Sequence, residues 1–386
     1  MRDFLPGGHR QAVDLGITCR DTANAYGYCP RCHDDKPIAD AARSLPFCSR
    51  QRAGQRSALS YSVGPMATPH AFRFSTNTFG LTSRADFLAH CRRVEELGYD
   101  TLFAADHLGS TAPFQMLVAA AAVTSRLRLG TLVLNAAFWN PALLAREIIS
   151  ADILTEGRLE VGLGSGHMKW EFDEAKIAWQ GFGARAERLE AAVGEIGRIF
   201  AAGGYEQRRP LEEAFGISPL APVQRAGFGG YGPPLLLAGT GERVLRIAAR
   251  KADIIGIAGT RQAMGQPPGT FRLCTAEETD DVVRFARAEA GDRAGTVEWN
   301  VLIQLVKVTG NRVAAAEKFV AEEGETMSAE ELLAAPFVLL GTVDEIAEQI
   351  LRNRDRYGFT YYTVHAPFAE EFAPVIERVR NLARGR

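Results

Sequence analysis

The chain has 386 residues, 46% hydrophobic, 23% charged and 9% aromatic, which is enough apolar material to bury a sizeable core. Bulk disorder, a collagen-like fibre and a small disulfide scaffold are thereby excluded. A net charge of −2 offers no basic field for nucleic acid or an anionic membrane, and no apolar run reaches the ~18 residues of a membrane span. Asp3, Arg10, Asp14 and Arg20 interrupt the first residues, which contain no apolar stretch, so the sequence predicts a cytoplasmic protein without a secretory signal.

Four of the six cysteines, Cys19, Cys29, Cys32 and Cys48, crowd the N-terminal region. Cys29-Pro30-Arg31-Cys32-His33 has the spacing of a haem attachment site or of half a zinc site. Haem attachment of that kind belongs with export, and a zinc site needs a second ligand pair, whereas Cys19 and Cys48 stand singly. Residues 1–65 show no sustained apolar periodicity and are read as an irregular extension, disordered or non-native, with Met66 as a candidate start. Residues 66–386 are read as one domain.

From residue 72 short apolar runs alternate with amphipathic segments, the pattern of strands and crossover helices in a parallel sheet. A strand over 72–77 precedes a helix capped by Thr82 or Ser83, whose Phe87, Leu88, Cys91, Val94 and Leu97 recur at helical spacing until Gly98. A strand over 100–105, an alanine-rich helix over 113–124 and a strand over 127–134 come next. Asn140-Pro141 supplies an N-cap and a proline at the first helical position for a helix to about 154. A fourth strand covers 158–163 and a helix 184–202. Residues 203–234, rich in Pro and Gly, are too long for an ordinary connection and are expected to form a lid or insertion. Strands over 235–238 and 253–258 flank a helix over 242–251, and a second irregular stretch spans 259–274. A helix over 277–290, a strand over 299–308 and a helix over 312–323 succeed it. Thr342-Val343-Asp344-Glu345 is a capping box opening a helix that ends at Gly358, and an eighth strand covers 360–365.

Eight strands, each followed by a helix, predict an α/β fold of the closed (β/α)8 TIM-barrel kind in preference to a doubly wound sheet. Gly162-Leu163-Gly164-Ser165-Gly166 lacks the G-x-G-x-x-G spacing, and no acidic strand end lies ~20 residues further on, so the dinucleotide fingerprint fails. Barrel active sites lie at the C-terminal strand ends, which singles out the residues just after each strand. Asp106-His107 follows the second strand and can place an imidazole beside a reacting carbon or a cofactor ring. Asn135 follows the third. Gly164-Ser165-Gly166-His167 follows the fourth, where glycines let a flat ligand approach and Ser165 and His167 add hydrogen-bonding groups. Gly239, Thr240 and Gly241 lie between a strand and a helix N-terminus, a place suited to a phosphate. His365 ends the last strand and, with no partner in view, is read as structural. No His, Asp or Glu cluster has metal spacing, and Glu95-Glu96 and Glu370-Glu371 do not converge.

Glu96-Leu97-Gly98-Tyr99-Asp100-Thr101-Leu102-Phe103 with Asp106-His107-Leu108, then Arg128-Leu129-Gly130-Thr131-Leu132-Val133-Leu134, Arg158-Leu159-Glu160-Val161-Gly162-Leu163-Gly164-Ser165-Gly166 and residues 234–250, resemble the luciferase-like monooxygenase superfamily, from about residue 72 to the C-terminus. The Asp-His pair, with Leu340-Gly341-Thr342-Val343-Asp344-Glu345-Ile346-Ala347 and Tyr357-Gly358, is most similar to the branch that uses the deazaflavin coenzyme F420. The resemblance implies a bacterial luciferase-like TIM barrel, an oxidoreductase moving a hydride between F420 and a small organic substrate, and a homodimer. It implies that Asp106 and His107 face the deazaflavin, that Leu134 and Asn135 form a bulge behind its ring carrying a cis non-proline bond, and that Gly239, Thr240 and Gly241 hold its phosphate. Ser165 and Gly166 are counted with the cofactor contacts, and His107 and His167 with the groups exchanging the accompanying proton. Glucose-6-phosphate dehydrogenases of that branch have a Trp shortly after Asp-His and a Glu where His167 falls. Leu108-Gly109-Ser110-Thr111 contains no Trp, so a reductase or dehydrogenase of secondary metabolism is expected instead. The alternatives are a flavin mononucleotide (FMN)-dependent monooxygenase using O2 and a barrel that only binds. Residues 203–234 and 259–274 are expected to decide the substrate.

Overall fold

A computed structural model describes residues 70–385 except 81, 208, 268 and 324–326, so the expected extension over 1–65 and its cysteines lie outside the described residues. β1 (Arg73–Thr78) leads through α1 (Arg84–Glu96) to β2 (Thr101–Ala104), α2 (Pro113–Ala121), β3 (Arg128–Thr131), β4 (Leu134–Asn135), α3 (Pro141–Leu154) and β5 (Leu159–Gly164). Then come α4 (Lys169–Glu174), α5 (Phe182–Ala201), α6 (Arg209–Phe215), β6 (Leu235–Ala238), α7 (Glu242–Lys251) and β7 (Ile254–Ile257). A hairpin of β8 (Thr260–Gln262) and β9 (Phe271–Leu273) precedes α8 (Ala276–Ala290), β10 (Glu298–Ile303), β11 (Leu305–Val308), α9 (Arg312–Glu323) and α10 (Ala329–Ala334). β12 (Val338–Gly341), α11 (Val343–Tyr357), β13 (Tyr361–His365) and α12 (Ala369–Arg384) complete it.

The main sheet runs β3-β2-β1-β13-β10-β7-β6-β5-β4, all parallel, and β3 also pairs with β5. Its nine strands thus fill eight positions of a closed ring, with β3 and β4 sharing one, and the expected TIM barrel is the fold found. Local signals place the helices. Ser83 caps α1 by accepting from the Asp86 N–H at 3.1 Å, and Asn140 caps α3 by accepting from Ala142 and Leu143. Thr342 and Glu345 form the expected capping box of α11, each such cap contributing ~1 kcal/mol. Among the described residues, no helix is long and apolar enough to cross a membrane.

Alternation along the strands divides the core. Outward Phe74, Leu102, Leu237, Ile255, Val301 and Tyr362 are buried beneath the helices. Inward Phe103, Leu236, Ile254 and Tyr361 pack inside the barrel. An ion network closes its N-terminal end: Arg73 pairs with Glu160 and, at 2.8 Å, with Glu298, while Arg128 holds Glu160 at 2.5 Å. The Tyr361 hydroxyl donates to Glu160 at 3.0 Å, and the Arg73 guanidinium lies 4.1 Å from the Tyr361 ring centre. Burial pushes the Glu160 carboxyl up, but Arg73 and Arg128 more than offset it and hold it below the usual range. Burial raises its neighbour Glu298.

Three expectations are corrected. The strand over 127–134 is broken at Leu132 and Val133. The strand over 299–308 is two: β10 stays in the barrel, whereas β11 leaves it to pair with β12, a strand the sequence pattern does not announce. Residues 203–234 form no lid over the strand C-termini, because they join α5 to β6 and helix-to-strand connections fall at the N-terminal rim. There the Val223 and Gln224 N–H groups donate to Asp152, at the end of α3, and the Gln224 side chain donates to the Leu159 carbonyl, where β5 begins. A cavity of about 780 Å³ lies at this same end, lined by Arg73, Leu235, Ile254 and Glu298, each the first residue of a strand. It is remote from the residues with catalytic character.

Candidate active site

Gly130 stands opposite Glu160, and Leu134 opposite Leu163, so Thr131, Leu132 and Val133 face only Val161 and Gly162. This is a β-bulge, with a cis Leu132–Val133 peptide. The Thr131 hydroxyl fills the broken ladder, accepting from the Gly162 N–H and donating to its carbonyl, both at 2.9 Å. A Cβ at Gly162 would lie 2.0 Å from the Thr131 carbonyl oxygen, so glycine is required there. The extra residue reverses the facing of the strand beyond it. Leu132 and Val133 therefore pack against the interior cluster, and Leu134, expected to contact the cofactor, is fully buried in the outer core. Leu134 and Asn135 resume pairing beyond the bulge and do not form it.

Asp106 ties the loop after β2 to this strand, accepting from the Asn135 N–H at 3.0 Å and the Trp139 indole at 3.2 Å. Burial pushes its carboxyl up against the pull of those two donors. The Asn135 side-chain oxygen accepts from the Ala137 N–H, while its buried amide nitrogen has no partner. Gly166 has a φ of 74°, and a Cβ there would meet the Asn135 amide at 2.6 Å, so this glycine lets the loop after β5 close onto Asn135. Ser165 is half-buried beside it.

His107 Nδ1 lies 2.8 Å from Glu171, whose same oxygen accepts from the Leu108 N–H at 3.1 Å. The carboxyl group is thus the acceptor, Nδ1 carries the proton, and Nε2 is left for chemistry. Glu171 is buried on the short α4, which Phe172 anchors by packing at 5.6 Å from Phe138 and 4.8 Å from Trp179. The ring of His167 lies edge-on to His107 at 5.6 Å. Surrounding protein, then His107 and Arg185, hold its pKa below the ordinary imidazole value, so the ring is neutral at pH 7 although water reaches it.

Further round the rim, His365 is buried with Nδ1 3.2 Å from the Asn77 side-chain oxygen, and its Nε2 has no partner. Burial lowers its pKa to about 4. The hairpin contributes Phe271, 5.6 Å from His167, and is latched by Arg272 to Glu278 on α8. Gly239, Thr240 and Gly241 form the turn from β6 into α7, whose N-cap Gly241 supplies no side-chain cap. α5 also starts uncapped at Gly181, and its Phe182 lies against Gly241 while Arg243 lies against Gly183. Two helix N-termini without side-chain caps thereby lie close together.

His107, His167, Asp106, Asn135, Ser165, Gly166 and the 239–241 turn all share the C-terminal rim; of the predicted contacts, Leu134 alone is withdrawn into the core. Glu171 and His365 were not anticipated as functional. The available signal for Glu171 was Lys169-Trp170-Glu171-Phe172, an acid between aromatic residues just after a strand end.

A sequence model of luciferase-like monooxygenases matches residues 66–266. An F420-dependent glucose-6-phosphate dehydrogenase of Intrasporangium calvum is 27% identical over 347 residues, 81% of this chain and 98% of that one. One of Kribbella flavida is 28% identical over 47% of this chain, which spans 54% of that relative's length. The coenzyme F420-dependent tetrahydromethanopterin reductase of Methanopyrus kandleri superposes with a TM-score of 0.59 at 15% identity, over 81% of this chain and 99% of that one. With its bulged third strand, its polar C-terminal rim and a family match across half its length, the chain belongs to the luciferase-like monooxygenase family.

Proposed function

We propose that this oxidoreductase works with coenzyme F420, transferring a hydride between it and a small organic substrate in the cytoplasm, as part of secondary metabolism. The observation carrying the proposal is the His107–Glu171 pair beside the bulged strand, an imidazole fixed at one nitrogen and open at the other. Relatives named for F420 support the choice of cofactor. The rim fits such a group: the Asn135 amide nitrogen is a buried donor without a partner, and the uncapped helix N-terminus at residues 239–241, with that of α5 at Gly181 close by, suits a phosphate. Asn135, Ser165 and Gly166 would hold the ring system, Gly239, Thr240 and Gly241 the phosphate, and Asp106 would position the Asn135 strand.

When bound, the deazaflavin supplies a carbon centre that gives or takes a hydride. The chain supplies the proton. Glu171 keeps the Nδ1 proton of His107 in place, so His107 Nε2 takes a proton from a substrate hydroxyl or, once protonated, returns it. His167, neutral at pH 7, adds a polar wall without a competing charge. The hairpin sets Phe271 against His167 and so adds an apolar wall to the rim.

FMN-dependent oxygenation is the second reading, favoured by the activity for which the family is named. Titration of the protein and its His107→Ala variant with oxidised and reduced F420 and with FMN, followed by fluorescence, separates the two. Micromolar binding of F420 alone supports the proposal; preference for FMN overturns it. A homodimer is also proposed, since α3 and α6 expose Leu143, Leu154, Leu211 and Phe215; sedimentation as a monomer at micromolar concentration would refute it.

A further inference from the structure

The rim carries an unbroken row of rings. Phe79 lies between two imidazoles, 6.1 Å from His107 and 6.1 Å from His365, at interplanar angles of 24° and 26°. His107 then meets His167, and His167 meets Phe271 of the hairpin, each at 5.6 Å. Phe79 remains 42% exposed, a large apolar ring left open to the cleft.

The carboxylates beside this row and the arginines of the hairpin are paired among themselves, and Arg185, near His167, is 9% exposed, stacked 3.8 Å from the Trp179 ring centre and donating to the Gln180 carbonyl. Glu171 faces His107, Asp106 is held by Asn135 and Trp139, and Glu278 takes Arg272 at 2.8 Å and lies 3.9 Å from Arg261. An anionic substrate would have to break the Arg272 or Arg261 contact to find a cation on the hairpin.

His365 adds direction. It is 5% exposed, its Nδ1 donates to the Asn77 side-chain oxygen, and its Nε2 is therefore a bare acceptor with no partner. A buried acceptor left unmade is costly, and a group that satisfies it must donate a proton. Because burial keeps the ring neutral at pH 7, Nε2 stays an acceptor.

We propose, resting on the reading of this rim as the active site, that its substrate is a flat, uncharged molecule bearing a hydroxyl group, with its ring against Phe79 and its hydroxyl donating to His365 Nε2. His365 is then a specificity-determining contact, separate from the proton-exchanging His107.

Calorimetric titration of the full chain, alone and saturated with F420, with 2-naphthol, 2-methoxynaphthalene and glucose 6-phosphate tests this. We expect 2-naphthol to bind about fivefold tighter than its methyl ether, the worth of one hydrogen bond, and glucose 6-phosphate to bind more weakly than both. His365→Phe keeps a ring against Phe79 and should erase the preference for 2-naphthol. Phe79→Leu should weaken both naphthalenes about threefold to tenfold while sparing that preference. Circular dichroism melts confirm that both variants fold. Tighter binding of glucose 6-phosphate, an undiminished preference in His365→Phe, or no naphthalene binding by protein that takes up F420 overturns the inference and leaves the cofactor reading standing. Failure to bind F420 with the naphthol preference intact does the reverse.

Discussion

Glu278 latches the hairpin that covers the rim, and its removal should loosen that hairpin without unfolding the barrel. It accepts from Arg272 at 2.8 and 2.5 Å and from the Thr275 N–H at 3.0 Å. The Arg272 hydrogen bonds foremost, then the Thr275 N–H, outweigh burial and bring its carboxyl from 4.5 to about 2. A depressed carboxyl stabilises fully above its unfolded value and ceases to do so as pH falls through its folded one, so the latch is complete above 4.5 and lost towards 2. That gap corresponds to ~3 kcal/mol; the side chain is 25% exposed, and solvent screening reduces the usable part to ~1–2 kcal/mol. The contacts are local to β9 and the start of α8, so the loss should appear as hairpin opening. In Glu278→Gln at pH 7, amide hydrogens of β8 and β9 should exchange about 5- to 30-fold faster than in the parent, with the barrel strands unchanged. Between pH 4.5 and 2 the two proteins should converge. Equal exchange at pH 7, or a difference that persists at pH 2, would refute the reasoning.

Glu160→Ala strands Arg73 and Arg128 inside the barrel and should cost about 3–5 kcal/mol in denaturant unfolding; a loss under about 1 kcal/mol contradicts the network. Gly166→Ala meets both a positive φ and the buried Asn135 amide, so it should cost about 1–2 kcal/mol in unfolding and weaken F420 binding at least about tenfold in the protein that remains folded. Unchanged affinity would show that Asn135 does not face the cofactor. Glu171→Gln keeps the shape and an accepting oxygen for Leu108 and for His107 Nδ1 but removes the negative charge that stabilises His107 once it is protonated. Turnover should fall about 10- to 100-fold while F420 affinity stays within about threefold, and a parallel fall in both would assign Glu171 to binding.

Most of the barrel was legible because its signals are local. Asn140-Pro141, the Thr342 to Glu345 box and the stop at Gly358 report a few neighbouring residues and act where they stand. The misread parts depend on pairing across the sheet. Nothing within residues 127–134 says that an extra residue faces Val161 and Gly162, so the facing of Leu134 was inverted. Likewise β11 reads as a continuation of β10, and only Val338–Gly341, far along the chain, draws it aside. Residues 203–234 were recognised as an insertion, but their end of the barrel is set by chain direction, since they leave a helix and enter a strand. In the site, Asp106, His107 and Gly166 were named as candidates because strand ends announce them. Glu171 was not, because its role comes from the fold of α4 back over the Asp-His loop.

With its floor tied by charge and its interior filled, the barrel leaves its C-terminal rim as the face for ligands. Arg73, Arg128, Glu160 and Glu298 close the N-terminal end and Phe103, Leu236, Ile254 and Tyr361 fill the interior, so under the proposed function cofactor and substrate would both have to reach the site from the rim, beside the hairpin. Where one ligand covers the other on that face, traffic is sequential: whichever molecule sits deeper enters first and leaves last. Steady-state kinetics should therefore show an ordered pattern, with the shallower product acting as a dead-end inhibitor that traps the deeper one, and the speed of the hairpin should limit both.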